Sequence, residues 1–382
     1  MTDPLRLTVA VGTRPEVVKL APVVTALRGA GHSVRCVATG QHTDRRLAGD
    51  LFAELGCPPD ETWTLSGDEG ERVGGLLAQA YREIAAHRPD AVVVLGDTYT
   101  APLVAMAARR AGVGVVHVEA GLRSFNDLSM EESNRRMLAS LATVHLAPTE
   151  LARDFLLQEG VDPARVRVVG NPVLDAVRLE AVERVPVADR SGVLVTAHRA
   201  TNVDDPDRLA TLVSLVEQLA VRHGGVLFPV HPRTRDRLTT GGLWATVAGL
   251  PGVRLVEPLG YADLLRAMAA SRLVVTDSGG IQEESSYLGV PVVVMRTTTP
   301  RWEGVRTGAA VLTGLDEARV LEAADRFADD AELVRVAGLP CPYGDGRTGD
   351  RVVEVLAEPG LRALLRPAEP ALSAALPDRV LQ

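Results

Sequence analysis

The chain has 382 residues, of which 46% are hydrophobic and 24% charged, and a formal net charge of −8 at pH 7. That length exceeds one average domain and suits two, each burying its own core. An acidic balance with no basic run excludes nucleic acid as the main partner, and no apolar stretch reaches the ~18 residues of a membrane span.

The three cysteines, Cys36, Cys57 and Cys341, are far apart and form no CxxC pair, which points to a reducing compartment without a zinc site. Met1 to Pro4 leads into a strand almost at once, leaving no room for a signal peptide, so a cytoplasmic location is expected. Lys19 is the only lysine; the rest of the positive charge is arginine, a bias that reads as genome composition rather than chemistry.

Leu5 to Val11 reads as an apolar strand, and Gly12-Thr13-Arg14-Pro15-Glu16 turns from it into a helix rich in Val, Leu and Ala. Pro15 fits a first helical turn, where its missing N–H costs little. Arg14 is then placed to clamp a phosphate oxygen, or more plainly to pair with Glu16. Ser33 to Ala38 is the next strand, closed by Thr39-Gly40-Gln41-His42. Ala91 to Leu95 ends in Gly96-Asp97-Thr98, and Val113 to Val118 ends in Glu119. Strand, loop and helix alternate, which calls for a parallel sheet with helices on both faces.

The second half repeats this style. Gly192 to Thr196 leads to Ala197-His198-Arg199, Val226 to Val230 to His231-Pro232-Arg233, and Val253 to Val256 to Glu257-Pro258-Leu259. Leu273 to Val275 reads as a buried parallel strand, and a helix follows from Ile281 to Leu288, ended by Gly289. Ser278, Gly279 and Gly280 therefore sit at a helix N-terminus, where free N–H groups and the helix dipole favour a phosphate. Glu283 and Glu284 follow within a turn, where one can reach a ribose hydroxyl. This is the outline of a nucleotide-diphosphate cradle; the same residues also suit a plain glycine turn with solvated acids. Pro291 to Arg296 closes the series.

Polar residues thus gather at the C-terminal ends of strands in both halves, where open α/β sheets bind ligands. Two Rossmann-like domains facing across a cleft are expected, the first over residues 1–172 and the second over 173–360, with a loosely held tail at 361–382. No GxGxxG follows the first strand, which speaks against a dinucleotide. Asp97, Glu119 and the Glu131-Glu132 pair are candidate acid–base groups; Glu131 and Arg135, four apart, share a helical face. An ordinary ion-pair network explains the same residues. His198 fits a phosphate donor, a proton shuttle or a structural histidine. His42, His117, His145 and His223 show no metal-ligand spacing, so no catalytic metal and no cofactor are expected.

Taken together, Gly12 to Glu16, Thr39 to His42, Gly96 to Thr98, His117-Val118-Glu119-Ala120-Gly121-Leu122-Arg123-Ser124, Glu131 to Arg135, Gly170-Asn171-Pro172-Val173-Leu174-Asp175, Thr196 to Arg199, Thr276 to Glu284 and Pro342 to Gly346 resemble, in order, the non-hydrolysing UDP-N-acetylglucosamine 2-epimerases. The likeness spans about residues 7 to 355. It implies a GT-B-like fold and interconversion of UDP-GlcNAc and UDP-ManNAc: loss of the C2 proton and of UDP to a 2-acetamidoglucal, then re-addition of UDP. Under it, Asp97, Glu119 and Glu131 look like the acid–base set with Arg135 their partner. His198 looks like a diphosphate donor, Arg14, Ser278, Gly279 and Gly280 like phosphate binders, and Glu284 like the ribose anchor. A homodimer is implied by family habit.

Four departures stand out against the family pattern. Ala200-Thr201 replaces Arg-Glu after Arg199, Pro300 and Trp302 replace Glu and Pro around Arg301, Met130 replaces Pro, and Cys341 replaces Asn. Thr43-Asp44-Arg45-Arg46 also departs from the family, and there an activating second UDP-GlcNAc would bind, so an epimerase without that control is expected. The rival readings are a hydrolysing epimerase releasing N-acetylmannosamine and UDP, a GT-B glycosyltransferase, and an inactive nucleotide-sugar sensor.

Overall fold

The computed structural model describes residues 3–41 and 56–366. His42 and the Thr43–Arg46 stretch lie outside the described residues, as does the chain from 367 to 382.

The first half builds strands β1 (Arg6–Val11), β2 (Ser33–Ala38), β3 (Glu61–Thr62), β4 (Ala91–Leu95), β5 (Gly114–Val118), β6 (Val144–Ala147) and β7 (Val166–Val168). They form one sheet in the order β3-β2-β1-β4-β5-β6-β7, with every pairing parallel. The second half builds β8 (Val193–Thr196), β9 (Val226–Pro229), β10 (Val253–Val256), β11 (Leu273–Thr276), β12 (Val292–Val294) and β13 (Ala310–Leu312), ordered β10-β9-β8-β11-β12-β13 and again all parallel.

The long central strands were legible because they are continuous Val-rich runs buried on both faces. The sequence reading names none of β3, β6, β7 and β13. Each has only two to four residues, too short for a period to emerge.

In each sheet the strand order reverses direction at one place: between β1 and β4, and between β8 and β11. A crevice opens there because consecutive crossovers leave to opposite faces. Gly12 to Glu16 and Gly96 to Thr98 are therefore neighbours, as are Ala197 to Arg199 and Asp277 to Gly280.

The chain does not end on the second sheet. Helices Thr348–Ala357 and Pro359–Leu364 return to the first, and Val352, Val355, Leu356, Leu361 and Leu365 join the core of β1, β2 and helix Arg14–Gly29. The segment expected to close the second domain thus shares the first domain's core, and part of the expected tail is packed. Asp175, in helix Pro172–Leu179, fixes that return by accepting from the backbone N–H groups of Thr348 and Gly349 at 3.0 and 2.8 Å. Among the described residues no helix is long and apolar enough to cross a membrane.

Candidate active site

Thr13 caps helix Arg14–Gly29, and Pro15 stands in its first turn as expected. Glu16 does not pair with Arg14. Its carboxylate accepts from the N–H groups of Gly12 and Thr13 at 2.6 and 3.0 Å and from Thr98 Oγ1 at 2.6 Å. Burial still dominates over these bonds and lifts its carboxyl to about 7. Glu16 thereby ties the loop after β1 to the loop after β4. Arg14 is left exposed, with no ion-pair partner among the described residues.

Asp97 follows β4 and is bound by Arg135 Nη1, while Asn134 Nδ2 donates to its backbone oxygen at 2.8 Å. The expected partnership of Arg135 with Glu131 is corrected here. Arg135 Nε and Nη2 instead donate to Glu132 Oε2 at 3.1 and 2.8 Å, and Nη2 also reaches Ser124 Oγ at 3.1 Å. Sequence spacing of four made Glu131 the candidate. Glu132 wins because it faces inward, where Ser124 N–H and Oγ also donate to it at 2.8 and 3.0 Å. Glu131 is exposed and accepts from Ser129 Oγ at 2.6 Å. Partial burial raises its carboxyl, but Ser129, Arg199 and Arg135 outweigh that and hold it below the usual range.

Glu119 stands at the end of β5 with φ +62°, a left-handed backbone that a non-glycine residue adopts at a cost of about 1–3 kcal/mol. Strain of that kind marks a side chain placed for a purpose. It is 4% exposed, and Lys19 Nζ lies 2.5 Å from its Oε1. Burial pushes the carboxyl up, yet Lys19 and Arg301 outweigh it and keep Glu119 ionised. Lys19 also lies 3.7 Å from Oε2 of Glu283, whose Oε1 takes Arg301 Nε at 2.9 Å and Asn171 Nδ2 at 2.8 Å. These two acids, one from each sheet, therefore meet across a lysine. Glu283, Lys19 and Arg301 had no role in the sequence reading. The signal was available: Lys19 alone is a lysine, and Glu283 precedes Glu284.

On the second sheet, His198 follows β8 and its Nδ1 lies 3.0 Å from Asp277 Oδ1. Asp277 is fully buried and also accepts from the N–H groups of His198 and Arg199 and from Asn202 Nδ2. Burial raises its carboxyl, but His198 and the two N–H groups outweigh that and hold it ionised. An aspartate in this position fixes ring orientation and leaves Nε2 for a ligand. Sequence reasoning quoted Asp277 without a role.

Ser278 is the N-cap of helix Gly279–Leu288, whose C-terminal end is Gly289 at φ +68°. A Cβ on Gly279 would stand 3.1 Å from Arg301 Nη1, so the glycine makes room for that guanidinium. Gly280 has open space around it. Glu284 is buried at 6% exposure, and its carboxyl rises to about 7 through burial, against the effect of the Tyr261 hydroxyl.

Arg199 and Arg296 complete this wall and pair with no carboxylate among the described residues. Arg199 Nε is buried without a partner. Burial, together with Arg199 and Arg301, lowers the Arg296 guanidinium to about 10. Crowded, unpaired guanidiniums imply an anion that is not part of the chain.

The altered loop spans the two domains. Trp302 Nε1 donates to the Arg123 carbonyl at 2.9 Å, and Glu303 accepts from Thr149 Oγ1. Arg123 is itself fully buried and forked onto Glu159 at 2.7 and 2.6 Å.

A family model for UDP-N-acetylglucosamine 2-epimerase matches residues 25–357. The chain belongs to the UDP-N-acetylglucosamine 2-epimerase family. That is a family of isomerases, and the chain is an enzyme of this class. It is 34% identical to the UDP-N-acetylglucosamine 2-epimerase of Methanocaldococcus jannaschii, over 92% of this chain and 99% of that one. It is 33% identical to the UDP-2,3-diacetamido-2,3-dideoxy-D-glucuronate 2-epimerase of Pseudomonas aeruginosa, over 93% and 100%. The crystal structure of the M. jannaschii enzyme in complex with UDP-GlcNAc and UDP superposes with a TM-score of 0.80, at 33% identity and covering 92% and 99% of the chains. The two sheets are accordingly the Rossmann-like domains of a GT-B-like fold.

Proposed function

We propose that this enzyme is a non-hydrolysing 2-epimerase of UDP-GlcNAc, interconverting it with UDP-ManNAc. The observation that carries the reading is the opposition of two walls. Asp97, bound by Arg135, and Glu119, held ionised beside Lys19, stand on the first sheet; Arg199 and Arg296, unpaired among the described residues, stand on the second with an Asp277-oriented His198.

In this reading a carboxylate of the first wall takes the proton from sugar C2. The C2–H electrons form the C1=C2 bond, and the C1–O bond breaks with its electron pair leaving on UDP. General base and electrostatic stabilisation act together, since the leaving diphosphate gains charge as the bond breaks. His198, Arg199, Arg296, Arg14 and the N-terminus of helix Gly279–Leu288 hold that charge, and Glu284 takes the ribose. UDP then returns to C1, and a proton is delivered to the other face of C2. Retaining UDP is what separates this course from hydrolysis. The M. jannaschii enzyme, solved with UDP-GlcNAc and UDP, supports the substrate.

Proton NMR of the enzyme with UDP-GlcNAc in D2O tests the reading. UDP-ManNAc carrying deuterium at C2, with no free N-acetylmannosamine, is expected. Free sugar and UDP would mean hydrolysis. No turnover of UDP-GlcNAc, together with turnover of a UDP-2,3-diacetamido glucuronate, would move the substrate to that of the P. aeruginosa relative.

A further inference from the structure

We propose that Lys19 is a positioning residue for the reaction: it sets the Glu119 carboxylate in place and links it to Glu283 of the second domain. The inference deepens the elimination reading above and rests on it. Lys19 sits on helix Arg14–Gly29 of the first domain, with its side chain only 10% exposed. Its ammonium lies 2.5 Å from Glu119 Oε1 and 3.7 Å from Glu283 Oε2. Glu283 Oε2 is buried with no hydrogen bond of its own and has the ammonium 3.7 Å away, while Arg301 and Asn171 bond the opposite oxygen. Lys19 thus bridges Glu119 and Glu283, while Arg301 of the second domain also acts on Glu119.

Composition sharpens the point. Every other cationic side chain except histidine is arginine, so whatever favours arginine in this chain has not reached this one place. The two side chains differ physically. A lysine is a compact point charge that fits between two carboxylates, whereas a guanidinium is a planar fork that would spread them apart. The site tolerates guanidiniums elsewhere: Arg135 pairs with Asp97 and Arg301 with Glu283.

The groups facing Glu119 are few. Lys19 comes from helix Arg14–Gly29, Glu283 from helix Gly279–Leu288, and Arg301 and Asn171 from the second domain and the connection to it. His117, on its own strand, is held neutral by burial, with its ring lowered to about 4, and Asp97 stands on the neighbouring loop. Lys19 is the cation in direct contact. Without it Glu119 loses its direct ion-pair partner, the first of the charges that hold its carboxyl low ahead of Arg301.

The test compares Lys19→Arg, Lys19→Met and the double variant Lys19→Met/Glu283→Gln, each as full-length enzyme. The double variant guards against misfolding, because it removes one of the two buried carboxylates that Lys19→Met would strand. Lys19→Met and the double variant are expected to bind UDP normally. Their kcat should fall about a hundredfold, as for a misplaced catalytic group, and the acid limb of their kcat–pH profile should move up by about one unit. Lys19→Arg is expected to keep the acid limb in place and still lose about tenfold in kcat through displaced geometry. A double variant that turns over at the wild-type rate, or is slow with its acid limb unmoved, overturns the proposal. If the wild-type enzyme shows no epimerisation, the elimination reading is what fails. The Glu119 carboxyl, followed by 13C NMR against Glu119→Gln, then decides the role of Lys19: an unchanged titration in Lys19→Met overturns it.

Discussion

The carboxylates of the first sheet and the arginines of the second are held in opposite ways. Asp97 and Glu119 come with partners built in, Arg135 and Lys19, so the structure itself fixes their place. Among the described residues Arg199 and Arg296 pair with no carboxylate, and neither does the exposed Arg14. Groups that move a proton must be organised before the substrate arrives, because reorganising them during the reaction adds to the barrier. Groups that hold a leaving diphosphate gain from staying unpaired, since a partner would have to be displaced first. Arg301 is the exception: its carboxylate Glu283 belongs to the Lys19 link rather than to the anion wall.

Removing a carboxylate of the first wall is expected to have the largest effect. Glu119→Gln or Asp97→Asn should cut kcat by about 10²–10⁴-fold while UDP affinity, measured by calorimetry, stays near wild type. A parallel loss of UDP binding would merge the two walls into one. Next comes the second wall: Arg296→Ala or Arg199→Ala should weaken UDP binding by about 1.5–3 kcal/mol, as expected for a charge-assisted hydrogen bond. Unchanged binding in both would mean that the unpaired guanidiniums serve something else.

A pH experiment separates Glu284 of the second domain from Glu119 of the first. The Glu284 carboxyl lies at about 7 in the folded protein, above its ordinary 4.5. Its neutral form therefore favours folding, and the chain loses stability as pH rises from about 4.5 to 7. Relative to Glu284→Gln, wild-type unfolding free energy should fall by about 1–3 kcal/mol between pH 5 and 8 in denaturant titrations. Glu119, with its lowered carboxyl, contributes with the opposite sign: its stability is present above its unfolded value and is lost as pH falls. The smallest expected effect is at Trp302. Trp302→Phe removes the indole N–H that reaches Arg123 and should cost about 1 kcal/mol in a thermal melt, leaving kcat nearly unchanged.

Much of this arrangement could be read in the chain. Strands β2, β4 and β10 lie where their Val-rich runs put them, and Ser278 caps its helix just before the glycine pair. What escaped was tertiary. Arg135 binds Glu132 rather than Glu131 because inward and outward faces of the first turn cannot be told apart from spacing of three and four. Glu283 looked like a bystander to Glu284 since its partners, Lys19, Asn171 and Arg301, lie far off in sequence. The return of Val352 to Leu365 to the first sheet left no local mark either, because an amphipathic helix does not reveal which sheet it covers.

In the proposed reaction, proton transfer on the first wall accompanies departure of UDP onto the second. The direct test uses UDP-GlcNAc with 18O in the bridge between sugar C1 and the β-phosphate, followed by 31P NMR during epimerisation. The label is expected to scramble into non-bridging β-phosphate positions, with no free UDP accumulating. Formation of UDP-ManNAc with the label still wholly in the bridge, and with neither UDP nor a 2-acetamidoglucal recovered on quenching during turnover, would contradict this course, because C2 would then have inverted without a detectable break of the C1–O bond.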